Sequence, residues 1–140
     1  MKQSLTKSSQ SFVLENKNYQ DNNKEKHMNI FELRLNEKPF TSIKKGTKTI
    51  EMRLFDEKRQ QYKIGDILIF KKRPEEIDTI KTKIIALHQV SSFKDLYERF
   101  DKTKLGYEEN EIAKPEDMQE YYPLEEQQKY GVVGIEIELI

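Results

Sequence analysis

The chain has 140 residues, 35% apolar and 36% charged, enough for one small domain with one core. Its 25 Lys and Arg balance 25 Asp and Glu, which excludes a bulk electrostatic binder of nucleic acid. With no cysteine and only His27 and His88, disulfides, thiolate metal sites, cysteine nucleophiles and zinc sites built from several histidines are excluded as well.

Residues 1–27 contain six apolar side chains among Ser, Gln, Asn and Lys, too few to offset the entropy of ordering. A disordered tail is expected there, followed by one domain over 28–140, with Met28 as an alternative translation start. No run approaches the roughly 18 apolar residues of a membrane helix, so the expectation is a cytoplasmic protein with no membrane partner.

Phe31, Leu33 and Leu35 alternate with Glu32 and Arg34, the period of a half-buried strand. Pro39 opens a short helix carrying Phe40 and Ile43, which Gly46 is suited to end. Ile50, Met52 and Leu54 then alternate with Thr49, Glu51 and Arg53 in a second strand. Ile64-Gly65-Asp66 is a turn, and Ile67 to Phe70 is a continuous apolar run typical of a strand covered on both faces. Residues 79–90 form a long β-branched strand whose imperfect alternation predicts a bulge.

Ser92 and Asp95 have the spacing of a capping box, ahead of Phe93, Leu96, Tyr97 and Phe100 at helical intervals. Pro115 and Pro123 each start a short helix, the second ending at Gly131. Val133, Ile135, Ile137 and Leu139 alternate in a closing strand. The fold class is α+β: a small mixed β-barrel of about five strands with short helices at its ends.

Charge is distributed unevenly along the chain. Residues 1–27 carry +2, 28–99 carry +5 and 100–140 carry −7, so any phosphate contact must come from a local patch in the middle. The densest polar feature lies in that middle, from Gly46 to Arg53. Glu51 and Arg53 leave the same face of a strand with Cα atoms roughly 6.5 Å apart, and Thr49 shares that face. Lys48 has the opposite parity and joins them only if it sits at the bend into the strand. Gly46 lets the backbone turn sharply and a ligand approach the main chain. A carboxylate, a guanidinium, a hydroxyl and an ammonium around one cavity suit a polar planar ligand such as a nucleobase, although the same residues on an open edge would be an ordinary surface pair.

Gly46, Lys48, Glu51 and Arg53 occupy every fixed position of a Gly-x-Lys-x-x-Glu-x-Arg pattern, and this stretch resembles the signature of the ASCH domain family, a branch of the PUA-like superfamily. Lys63-Ile64-Gly65-Asp66 before Ile67 to Phe70, and the closing 130–135, are similar to further family features, so the likeness spans about 28–140. The resemblance implies a barrel with a pocket at its mouth, formed partly by the motif. It also implies binding of RNA or of a nucleoside or nucleotide. One branch of the family hydrolyses the acetyl amide of 4-acetylcytidine with a lysine, a threonine and a distant glutamate. Lys48 stands at the lysine position, Glu51 where that branch has threonine, and the distant glutamate falls near Glu108 or Glu109.

Two readings follow. In a binding module, Lys48 and Arg53 hold phosphate or base edges, Glu51 accepts from an amino group, and Phe55 or Tyr107 stacks on the ring. In an amidohydrolase, Lys48 and Glu51 are catalytic: Glu51 is a general base on water, while Lys48 and Arg53 stabilise an oxyanion. Arg53 beside Glu51 lowers the carboxyl pKa and so favours binding. Neither reading needs a metal or another cofactor. Lys44, Lys45 and Lys71-Lys72-Arg73 are candidates for a basic rim. Tyr121, Tyr122 and Tyr130 are expected in packing, His88 as a packed strand residue, and 108–111 as a solvated acidic loop.

Overall fold

The computed structural model describes residues 27–140, and the expected tail over 1–27 falls outside them apart from His27. Five strands form one sheet in the order β1-β3-β4-β5-β2: β1 (Ile30–Leu35), β2 (Ile50–Leu54), β3 (Ile67–Lys72), β4 (Thr79–Val90) and β5 (Val132–Leu139). Only the β1–β3 pair is parallel; the other three are antiparallel. The sheet curls into a half-barrel whose two edges, β1 and β2, are not paired with each other. That open seam is the difference from a closed barrel.

Local sequence accounts for most of the boundaries. Helix α1 (Glu37–Lys45) stops where Gly46 adopts φ +85° and returns its N–H to the Ile43 carbonyl. Helix α2 (Phe93–Arg99) starts at Ser92, whose hydroxyl accepts from the Asp95 N–H at 3.4 Å. Pro115 opens a 3₁₀ turn, Pro115–Glu120, rather than an α-helix, and a further 3₁₀ turn at Arg59–Gln61 carries no comparable sequence signal. Helix α3 (Leu124–Tyr130) ends at Gly131. The expected irregularity of β4 is a shift of register between Ile84 and Ala86 against β5.

Each face of the sheet carries its own apolar cluster. Leu33, Leu35, Phe70, Ile84, Val133 and Ile135 pack with Phe40 and Ile43 of α1 on one face. Ile50, Met52, Leu54 and Val132 pack on the other face against Phe93 and Leu96 of α2 and against Leu105 and Met118. Gly134, opposite Met52, makes the second layer tight: a Cβ there would lie 3.0 Å from a Leu96 methyl and 3.2 Å from one of Ile50. Burying each such aliphatic side chain contributes about 1.5–3 kcal/mol, so the Ile50, Met52 and Leu54 face of β2 is committed to packing beneath α2.

Candidate functional site

Cross-strand register decides where the motif points. Glu51 pairs with Ile135 and Arg53 with Val133, and both partners belong to the α1-side cluster, inside the half-barrel. Alternation therefore turns Glu51 and Arg53 inward while Ile50, Met52 and Leu54 pack beneath α2. Because β2 is an edge strand, this inward polar pair lies beside the open seam and not deep within apolar side chains.

Lys48 reaches the same place from the bend before β2. Its backbone N–H donates to the Ser42 carbonyl at 3.1 Å, and its stem runs past Gly106, where a Cβ would come within 3.0 Å of Lys48 Cδ. Gly106 has φ +111°, so the loop both requires a glycine and uses the missing side chain to admit the lysine. Lys48 Nζ stands 2.9 Å from Glu51 Oε1, and Arg53 Nε donates to Glu51 Oε2 at 2.8 Å. The Glu51 side chain is 6% exposed, Lys48 11% and Arg53 16%.

Burial opposes ionisation of Glu51, but the two cations outweigh it and hold the carboxyl at about 2, below its ordinary 4.5. Burial likewise disfavours the Arg53 cation, and the Glu51 charge more than compensates, raising its pKa. The triplet is a fixed ionic unit. Arg53 Nε is spent on Glu51, leaving both terminal guanidinium nitrogens without a hydrogen-bond partner among the described residues.

The unit lies at the wall of a hollow of about 710 Å³. Arg34 and Leu35 of β1, the start of α1, β2, the loop around Gly106 and Tyr107, and the segment 117–122 enclose it. On the side away from β1, Tyr107 donates its hydroxyl to Asp117 Oδ2 at 2.8 Å, and Tyr97 donates to Tyr107 at 2.7 Å. The direction follows from chemistry, since a carboxylate can only accept. Burial raises the pKa of both phenols; for Tyr107 the bonds to Tyr97 and Asp117 raise it further. Tyr122, also at the hollow, lies parallel to Phe93 with centroids 5.8 Å apart.

Of the residues singled out in the sequence, Lys48, Glu51, Arg53 and Tyr107 meet at this hollow, whereas Gly46, Thr49 and Phe55 do not line it. Thr49 precedes β2, and its backbone is engaged on both sides, donating to Lys104 and accepting from Ile137. Phe55 packs on the α1-side cluster. Tyr121, expected in packing, is 65% exposed at the hollow.

Glu108 and Glu109 do not line the hollow, while Glu111 does, paired with Lys38. Lys102 holds the acidic loop by donating to the carbonyls of Glu109 and Glu111. His88 is half-buried on β4, 2.8 Å from Glu136. Of the expected basic rim, Lys71 pairs with Glu32 and Lys72 with Asp78, and only Arg73 lines the hollow. Gly106, Tyr97 and Asp117 were not identifiable from spacing; a lone glycine in a polar run was the one local sign. Among the described residues, no three His, Asp or Glu side chains are grouped to hold a metal ion, and no helix is long and apolar enough to cross a membrane.

The fold is shared with known proteins. The crystal structure of the hypothetical protein PH0355 is similar over 79% of this chain and 99% of its own, with 36% identity and a TM-score of 0.67. The solution structure of protein PF0455 from Pyrococcus furiosus matches over 79% of this chain and 97% of its own, at 30% identity and a TM-score of 0.60. No curated protein matches. The model of the ASCH domain matches residues 33–140, from the middle of β1 through the end of the chain. With the match spanning most of the chain and the curled sheet shared with these structures, this chain belongs to the ASCH domain family.

Proposed function

We propose that the chain binds RNA, or a free nucleoside or nucleotide, in the hollow between β1 and β2. The observation that carries this reading is the Lys48–Glu51–Arg53 triplet, a buried carboxylate whose two cations are fixed at the wall of a 710 Å³ hollow. Such a unit offers an acceptor and several donors in one place without reorganisation, which suits the mixed edge of a nucleobase. Tyr97, Tyr107 and Tyr122 supply aromatic surface for a ring, at about 1–3 kcal/mol per stacked base.

A hydrolase acting on an acylated nucleoside such as 4-acetylcytidine would ask Glu51 to draw a proton from water. A carboxyl held at about 2 is a weak base at neutral pH, so its charge serves recognition better than proton transfer. Calorimetric titration with a panel of nucleosides and short RNAs tests the reading, alongside chromatography of acetylated cytidine. Arg53→Ala should weaken the bound ligand by about tenfold or more, the loss of roughly one charge-assisted contact. Turnover that disappears in Glu51→Gln would replace the module with the hydrolase. Unchanged affinity in both Arg53→Ala and Lys48→Ala would remove the hollow from either reading.

A further inference from the structure

The seam continues beyond the 710 Å³ hollow into a second cleft of about 290 Å³, and the two share Arg34, Arg53 and Arg73. Lys58 and Arg59 add to this cleft, against Glu32 as the only carboxylate lining it among the described residues. Five cations in so small a space are not equally available.

Arg34 is bound to Glu76 at 3.1 Å and Glu32 at 3.2 Å, and Arg59 to Asp56 at 3.2 Å, so both are neutralised and positioned. Arg59 also contacts the Tyr62 hydroxyl, which fixes it within the wall. Arg53 shares the single charge of Glu51 with Lys48, so that group retains a net positive charge. Arg73 and Lys58 form no ion pair among the described residues. Away from the three shared arginines the lining of the hollow has the opposite balance, with Glu51, Glu111, Asp117 and Glu120 against Lys38 and Lys48.

From this gradient we infer that the cleft is a phosphate subsite: Arg53, Arg73 and Lys58 receive the phosphate of a nucleotide whose base lies in the larger hollow. The inference rests on the proposed nucleoside reading and narrows it to phosphorylated ligands. The unpaired Arg73 and Lys58, with the net positive charge of the Lys48–Glu51–Arg53 group beside them, attract a dianion to a cleft with low-dielectric walls more strongly than any neutral group. Arg53 is suited to join the two compartments, because its Nε is anchored and its free terminal nitrogens form the planar fork that phosphate oxygens accept. Arg73, exposed on the rim, contributes charge without burial cost.

The experiment is calorimetric titration of the full chain with the four ribonucleosides and their 5′- and 3′-monophosphates, at low and high salt. For the base that binds, one monophosphate should exceed the nucleoside by about tenfold at low salt, with the advantage shrinking as salt rises. In Arg73→Ala/Lys58→Ala, two exposed substitutions, the ratio of the two affinities should fall toward one while circular dichroism stays unchanged. Equal affinity for nucleoside and monophosphates would overturn the phosphate subsite and leave the nucleoside reading standing. An undiminished ratio in the double variant would overturn the assignment to these residues. Absence of binding by every nucleoside and monophosphate would overturn the subsite, and if short RNAs also fail to bind, the reading on which it rests falls with it.

Discussion

Lys48 Nζ lies 2.9 Å from Glu51 Oε1 although the two residues have opposite strand parity. The contact forms because β2 begins only at Ile50, so Lys48 belongs to the bend and its side chain is free of the alternation that governs Glu51 and Arg53. Gly106 then leaves the space through which the lysine stem passes.

Glu51→Gln should destabilise the protein by about 3 kcal/mol, because it leaves two largely buried cations without their shared counter-charge. Chemical denaturation with urea measures it. A loss under about 0.5 kcal/mol, the range of an ordinary surface change, would show that the triplet is solvated.

The same carboxyl predicts an acid limb. Its folded pKa of about 2 lies below the ordinary 4.5, so the stabilisation is complete above 4.5 and is lost as pH falls through about 2. The difference corresponds to about 3 kcal/mol. Thermal midpoints recorded across that window should fall steeply in the native chain and more shallowly in Glu51→Gln.

Gly106→Ala should cost about 1–3 kcal/mol, since φ +111° is strained for any L side chain and the new methyl meets Lys48 Cδ at 3.0 Å. Displacing Lys48 from Glu51 should also weaken ligand binding. Calorimetry on the folded variant separates the two effects, and affinity equal to that of the native chain would show that Lys48 is not held by this loop.

Tyr107→Phe removes the donor to Asp117 and the acceptor for Tyr97, at a cost of about 1–3 kcal/mol. In the native chain, Tyr97, Tyr107 and Tyr122 should ionise later on alkaline titration than exposed tyrosines, as burial raises all three. Raised phenol pKa values stabilise the fold below the ordinary value of 10 in full, and that contribution fades as pH climbs through the folded values. Ultraviolet absorbance of tyrosinate, with and without the substitution, follows both events.

Gly134→Ala should destabilise by about 1–3 kcal/mol through overpacking, as its methyl would press on Leu96 and Ile50 between β5 and α2. Gly134 itself does not line the hollow, so any ligand affinity of the folded variant should be retained.

What could be read in advance was local. Alternation from Phe31 to Leu35 and from Ile50 to Leu54, the bulge in β4 and the stops at Gly46 and Gly131 all depend on neighbours a few residues away, and each appears in the fold. The motif, too, was visible as a spacing. Long-range pairing settled the rest. Alternation says that Glu51 and Arg53 share a face but not which face, and only the register with Val133 and Ile135 turns them inward. That β1 and β2 remain unpaired edges, and so leave a seam, depends on the order of five strands, which no local pattern encodes. Tyr107, Asp117 and Arg73 come to the motif from 20 to 64 residues beyond Arg53 along the sequence, brought there by chain connections and packing that a single sequence does not display.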